Sequence, residues 1–511
     1  MKLMQYLAAV PVVAIRGADS NPIIYAGSGI SYQGLRNNTA GQDYFLGIRF
    51  AQPPIGSLRF KPPVPWAPLA GTTMVNATRL GDSCEQAVEY SSNTVSEDCL
   101  TLNIWKPMNV AEKLPVMVWI HGGGYYIGES ARYPGTFLLE RAAKIGKPIV
   151  YVALNYRFGL YGFPPGQAAA EAGALNLGLK DQRLALEWIQ KNIAQALLQH
   201  VPKPNDPVRE AAFKFIVNAT GCAGSPVPFE CVRNAPPPLL SQANKDVIML
   251  DPYYSSVGHS PVTFGATRAP GDDFFTDLPS KLLHDGIFAK VPFISGNQLD
   301  EGTVFVNGTV ANTEQDIINW ITARFPGLTF GISNAAAVRT LLKYYPNSQA
   351  AGSPYNTGNE TFGQGSQYKR FASIVNDIAF QAPRRDHLTT ATRFGVNTWS
   401  YMMVEPPVKF YPLYGISHGE EVPFVMQTAS ISKPGISTGA KELQETIGDY
   451  WINFAHMLNP NHGGKLTLPY WPHYGRERKI MQFLSSNITT FKDINRTAAT
   501  DFIISNPDLY K

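Results

Sequence analysis

His121-Gly122-Gly123-Gly124 is the stretch of this 511-residue sequence whose residue types most directly imply a chemistry. It follows an apolar run, Pro115-Val116-Met117-Val118-Trp119-Ile120, that reads as a buried strand. Glycines after a strand bring bare backbone N–H groups up to a ligand, because no Cβ holds the ligand off. In ester hydrolysis such groups stabilise the oxyanion of the tetrahedral intermediate. Two more loops extend the set. Asp300-Glu301-Gly302-Thr303 follows a strand ending at Ser295 and offers a carboxylate able to orient a histidine. Gly415-Ile416-Ser417-His418-Gly419-Glu420-Glu421 places a histidine among small residues, where it could serve as a general base. The serine of this chemistry belongs on a sharp G-x-S-x-G turn between the glycine loop and the acid. The sequence has no such turn there.

The elements that must position these loops can be read from apolar patterning. Strands are expected at Leu100 to Trp105, Val116 to Ile120, Pro148 to Leu154, Val291 to Ser295 and Asn397 to Val404, with shorter β segments over 23–50. Leu177 to Ile193 reads as a helix, with Leu184, Trp188, Ile189 and Ile193 near helical spacing. Strands alternating with helices predict an α/β fold with a central, mainly parallel sheet. In such sheets the ligand sits beyond the carboxyl ends of the strands, where all three loops fall.

Composition narrows the function class. A net charge of +4 on 511 residues gives no case for nucleic acid or for an acidic membrane surface. No run reaches the roughly 18 apolar residues that span a bilayer. There is no metal-ligand spacing, phosphate loop or dinucleotide fingerprint, so no metal and no cofactor are expected. Cys84 and Cys99 lie close in sequence, as do Cys222 and Cys231, and two local pairs in a large chain look like two disulfides. Sequons begin at Asn37, Asn76, Asn218, Asn307, Asn359, Asn487 and Asn495. Sequons together with paired cysteines favour a secreted glycoprotein. Residues 1–18 then read as a signal peptide, the competing reading being a first strand over Val10 to Ile15.

The order of glycine loop, acid and histidine, with the segments around them, resembles the fungal type-B carboxylesterases and lipases of the cholinesterase-like group. The carrying residues are Phe45 to Pro54, Glu97-Asp98-Cys99-Leu100-Thr101-Leu102-Asn103, His121 to Gly124, Asn155-Tyr156-Arg157, Asn176 to Asn192, Asp300 to Thr303 and Gly415 to Glu420, in the family's order over nearly the whole chain. The resemblance implies one α/β-hydrolase domain over 1–511 and a small-molecule or lipid ester as substrate. It implies Glu301 as the triad acid, His418 as the general base, and Gly123 and Gly124 as oxyanion donors, with His121 shaping the loop. Cys84–Cys99 and Cys222–Cys231 match the family's two disulfides.

The chain departs from that pattern at one place. After Asn192-Ile193-Ala194 the family continues into a Gly-Gly-Asp-Pro turn, a strand and a Gly-Glu-Ser-Ala-Gly elbow. Here Ala194 runs into Gln195-Ala196-Leu197-Leu198, and Thr220-Gly221-Cys222 already belongs to the second disulfide. The nucleophile, a third oxyanion donor and a central strand are therefore expected to be missing, with the junction near 194–210. Three serines stand in formally similar settings: Ser417 and Ser437 fall after the acid, and Ser130 belongs to the glycine loop. None is expected to be the nucleophile. Removing a central strand opens two edges, and each buried unpaired backbone group costs about 1–3 kcal/mol, so the sheet must close the gap or the fold is marginal. Two functions follow: an ester hydrolase represented by an incomplete sequence, or a non-catalytic binding protein on the same scaffold. Retention of Glu301, His418 and the glycine loop favours the first. Glu85 to Asp98, inside the first disulfide, is short and polar, which points to soluble or medium-chain esters over interfacial lipolysis.

Overall fold

The computed structural model describes residues 21–26, 29–86, 91, 93–110, 113–192, 207–249, 267, 276–322, 335–406, 411–432, 435–461 and 468–506. The proposed signal segment and residues 194–206 of the junction lie outside them. The described residues fall into two compact units, one reaching 278 and the other starting at 279.

The first unit opens with β1 (Ile23–Ala26), β2 (Ile30–Gln33), β3 (Leu35–Asn37), β4 (Gln42–Arg49) and β5 (Met74–Asn76). A short pair, β6 (Ser83–Cys84) and β7 (Val95–Ser96), precedes β8 (Thr101–Pro107), β9 (Val116–Ile120) and β10 (Val150–Leu154). β1, β2 and β5 make a small sheet; β3-β4-β8-β10-β9 make the main one. The turn of residues 38–41 is too short for a crossover, so β3 and β4 pair antiparallel. β4–β8 and β8–β10 are antiparallel too, whereas β10 and β9 run parallel. The unit's longer helices are α1 (Thr136–Lys144), α2 (Leu177–Asn192), α3 (Pro207–Ala219), α4 (Pro228–Asn234) and α5 (Pro237–Met249). Asp181, on the buried side of α2, accepts Arg157 Nε at 2.8 Å, Nη2 at 2.7 Å and the Arg157 backbone N–H at 3.0 Å. That fork fixes the helix to the loop leaving β10 with charge-assisted bonds in a dry setting. The four cysteines form two disulfides, Cys84–Cys99 and Cys222–Cys231.

The second unit carries α6 (Pro279–His284), β11 (Phe293–Gln298), α7 (Glu314–Thr322), α8 (Ala335–Leu342), α9 (Tyr368–Asn376), α10 (Ala382–Arg393), β12 (Thr398–Met403), α11 (Thr438–Met457), β13 (Lys479–Phe483), β14 (Thr489–Lys492) and α12 (Thr497–Ser505). Its sheet runs β11-β12-β13-β14, parallel up to β13 and antiparallel at β14. β12 shows why the order holds. Successive side chains alternate across a sheet. Trp399, Tyr401 and Met403 pack with Tyr450, Trp471 and Phe483 in one apolar cluster, while Met402 packs with Leu388, Tyr474 and Ile480 in another. All six residues of β12 are buried, as expected of a strand covered on both faces.

The sheets are thus mixed, and the strands that lead into the site loops, β9, β11 and β12, each have a parallel neighbour. Among the described residues, β9 is laddered only to β10 and β11 only to β12. All five residues of β9 are half-buried, and so are the first four of β11. Among the described residues no helix is long and apolar enough to cross a membrane. Five sequon asparagines (Asn76, Asn218, Asn359, Asn487 and Asn495) are exposed. Asn307 is buried, its side-chain oxygen accepting from the backbone N–H and hydroxyl of Thr309.

Candidate active site

In the first unit, β9 delivers the glycine loop. His121 packs flat on Tyr156, centroids 4.7 Å apart, and edge-on to Phe158. Its Nδ1 lies 2.9 Å from the Gly122 carbonyl oxygen, and its own carbonyl accepts from the Tyr156 hydroxyl at 2.9 Å. Burial pushes the imidazole down to about 4, so it is neutral and holds the loop by packing. Two glycines are required by geometry. Gly123 has φ +127°, and a Cβ there would stand 1.9 Å from the Ile127 carbonyl oxygen. Gly128 has φ +134°, and a Cβ there would meet His121 Nδ1 at 2.2 Å. The Gly123 carbonyl takes the N–H groups of Tyr126 and Ile127, closing the turn. Among the described residues nothing accepts the N–H of Gly123 or Gly124. Gly124 is exposed and Gly123 half-exposed.

In the second unit, Glu301 follows the carboxyl end of β11 and His418 lies in the loop that follows β12. Their side chains meet: His418 Nδ1 is 2.6 Å from Glu301 Oε2. The other carboxylate oxygen accepts the Gln298 backbone N–H at 2.8 Å and, at a longer 3.4 Å, Asn297 Nδ2. Glu301 is buried, while the His418 side chain remains 51% exposed. Partial desolvation opposes charging of the imidazole. The hydrogen bond and charge of Glu301, with the charge of Glu421, outweigh it, and the pKa is held above the ordinary histidine value. Phe305 and Phe380 flank the ring, with centroids 5.3 and 5.1 Å away. A buried carboxylate on Nδ1 fixes the tautomer and orientation of the ring and favours its protonated form, as a general base requires.

The three serines in elbow-like settings are occupied otherwise. Ser130 is buried, its Oγ accepting from Asn103 Nδ2 at 3.0 Å. Ser417 is buried and donates to Glu420 Oε1 at 3.3 Å. Ser437 caps α11, its side chain accepting the Ala440 N–H at 3.0 Å. Each has the partner of a structural side chain. Among the described residues no cluster of three or more His, Cys, Asp or Glu side chains could hold a metal ion.

Sequence reasoning passed over the support beneath Glu301. Arg384 donates to Asn297 Oδ1 at 2.5 Å, which turns the Asn297 amide group toward Glu301. Arg384 also bonds Ser400, Gln381 and Asp493, the last at 2.7 Å. The one local signal was the polar end of an otherwise apolar strand, Asn297-Gln298, both buried.

Comparison with known proteins shows the family and the fold. The model of the carboxylesterase family matches residues 28–196 and 199–503. "Secreted lipase 1" of Botryotinia fuckeliana (strain B05.10) is 30% identical over 580 residues, covering 98% of this chain and 94% of that protein. "Lipase 4" of Diutina rugosa is 28% identical over 589 residues, with all of both chains covered. Among solved structures, that of Aspergillus niger EstA superimposes with a TM-score of 0.80 at 24% identity, covering 97% of this chain and 100% of that one. That likeness shows a shared α/β fold. A match over nearly the whole length, together with a relative at 30% identity, places this chain in the carboxylesterase family.

Proposed function

We propose that this chain is the scaffold of a secreted serine carboxylic ester hydrolase from which the attacking serine has been lost together with its strand and elbow. The observation that carries the reading is the Glu301–His418 pair, 2.6 Å apart, in a sequence with no G-x-S-x-G turn ahead of it. In a serine ester hydrolase the serine oxygen attacks the acyl carbon, histidine takes its proton, and the carboxylate stabilises the imidazolium. Glu301 and His418 are the acid and base of that scheme. Gly123 and Gly124 supply N–H donors of the kind that hold an oxyanion.

Three further facts support the loss. The family match breaks between 196 and 199. The alignment with Lipase 4 runs over 589 positions while using the whole 511-residue chain, so 78 positions carry no residue of it. Among the described residues β9 and β11 have a one-sided ladder, with all of β9 and the first four residues of β11 half-buried, whereas β12, laddered on both sides, is buried throughout. Secretion is supported by the disulfides and by relatives whose names begin "Secreted". The polar segment Glu85 to Asp98 favours soluble or medium-chain esters as substrates of a complete enzyme.

The test is hydrolysis of p-nitrophenyl butyrate by this chain beside its His418→Ala variant. Equal rates are expected; turnover that depends on His418 would mean that a nucleophile is present. Sequencing the message across Ala194 to Arg209 separates the hydrolase from a binding protein of the same scaffold. A longer message supports the hydrolase, and an intact message encoding this junction supports the binding protein.

A further inference from the structure

Asp300 and Glu301 are neighbours with different partners. Glu301 bonds His418, whereas the Asp300 carboxylate, 1% exposed, bonds the backbone that leads to it. Asp300 Oδ2 accepts the Ile416 N–H at 3.0 Å, and Oδ1 accepts the Ser353 hydroxyl at 2.7 Å and the Tyr355 N–H at 2.9 Å. The Asp300 N–H donates to the Ile416 carbonyl at 2.9 Å, so the two residues are joined by a pair of bonds. Thr303 extends the seam by donating to the Tyr414 carbonyl at 2.7 Å, and Tyr368 adds a bond to the Leu413 carbonyl at 2.8 Å. Gly415 passes so near that a Cβ there would lie 2.4 Å from Oδ2. Among the described residues no lysine or arginine forms an ion pair with Asp300. A buried carboxylate with no ion-paired cation, acted on by Arg496 through its charge alone, is a costly way to hold a turn. A neutral side chain could brace a loop; three donors converging on one carboxylate also fix its position.

We propose that Asp300 is a positioning residue, whose carboxylate and backbone clamp Gly415 to Ser417 against the end of β11 and so set the His418 imidazole on Glu301. The proposal rests on the reading of Glu301 and His418 as acid and base. A bond of 2.6 Å between side chains 117 positions apart needs its two loops held to within about half an ångström, which the half-exposed imidazole cannot do for itself.

The test uses the full chain, which needs no nucleophile for this readout. Histidine rings are isotope-labelled and titrated by NMR, with His418 assigned by loss of its signal in His418→Ala. In the parent chain His418 titrates above the ordinary value, and Glu301→Gln brings it down. Asp300→Asn replaces one acceptor oxygen by an amide that cannot accept, and is expected to lower the His418 midpoint at least half as far. Ser353→Ala keeps the carboxylate but removes one of its donors, and is expected to lower the midpoint less; it decides the matter if Asp300→Asn fails to melt cooperatively. A folded Asp300→Asn or Ser353→Ala protein that melts earlier but leaves His418 unmoved overturns the clamp, while a response to Glu301→Gln preserves the acid–base reading. If Glu301→Gln also leaves His418 unmoved, both fall.

Discussion

Replacing Asp493 by asparagine removes the charge on which the second unit's buried polar network converges. Asp493 Oδ2 receives Arg384 Nη2 at 2.7 Å and the Tyr474 hydroxyl at 3.2 Å, and Oδ1 receives Arg385 Nε at 3.0 Å. The side chains of Asp493, Arg384 and Arg385 are all at most 3% exposed. Asp493→Asn therefore leaves two guanidinium groups in a dry setting without their counter-charge, a change that costs about 3–5 kcal/mol. Against a typical total stability of about 5–15 kcal/mol this is a large fraction, visible as a drop in melting temperature on the order of 10 °C. The exposed pair Lys281–Asp285 is the control, since Asp285→Asn should change stability by no more than about 0.5 kcal/mol. The effect has a pH signature. Burial alone would raise the Asp493 carboxyl, but the two arginines hold it below its ordinary 3.8. A depressed carboxyl adds stability above its unfolded value and loses it as pH falls through the folded one, so parent and variant should converge in strong acid. Denaturant titration at neutral pH measures the difference. A loss under about 1 kcal/mol would mean that the guanidinium groups are satisfied without the carboxylate and that Asp493 is not the centre of this network.

Other outcomes follow from the same contacts. Burial, reinforced by the charge of Glu301, pushes the Glu421 carboxyl up to about 7, with Glu420 and His418 as further charged neighbours. A raised carboxyl favours the fold fully below its unfolded value and loses that contribution as pH rises through the folded one. Glu421→Gln should therefore be near neutral at about pH 4 and stabilising at about pH 8, by up to ~3 kcal/mol, as read from melting curves; a variant less stable than the parent at the higher pH would contradict this. Ser437→Ala should cost about 1 kcal/mol through loss of the α11 cap, measured by denaturant titration, and an unchanged midpoint would show that the cap is not formed.

Much of the fold was legible because patterning is local. Val116 to Ile120 was read residue for residue, since a short apolar run between polar flanks has few alternatives. The strand expected at Val291 to Ser295 instead runs from Phe293 to Gln298, because Asn297 and Gln298 are buried by partners that polarity cannot announce: Arg384 for one and Glu301 for the other. A mainly parallel sheet was expected from the alternation of strands and helices. The sheets are instead mixed: the short turn of residues 38–41 imposes the antiparallel β3–β4 ladder, and β4–β8 and β8–β10 are antiparallel across longer connections. Glu301 and His418 were legible as loop residues, but their contact is not a property of either loop. The clamp on Asp300 and the network on Asp493 join positions about a hundred apart through side chains whose types are common everywhere, so spacing carried no trace of them.

Loss of the nucleophile means that no side chain in this polypeptide attacks an activated electrophile. The direct measurement is incubation of the folded chain with a fluorophosphonate probe, followed by mass spectrometry of the intact protein and its peptides. An unmodified mass is expected, with Ser130, Ser417 and Ser437 all unlabelled. Stoichiometric labelling of one serine, abolished by changing that serine to alanine and by His418→Ala, would contradict it.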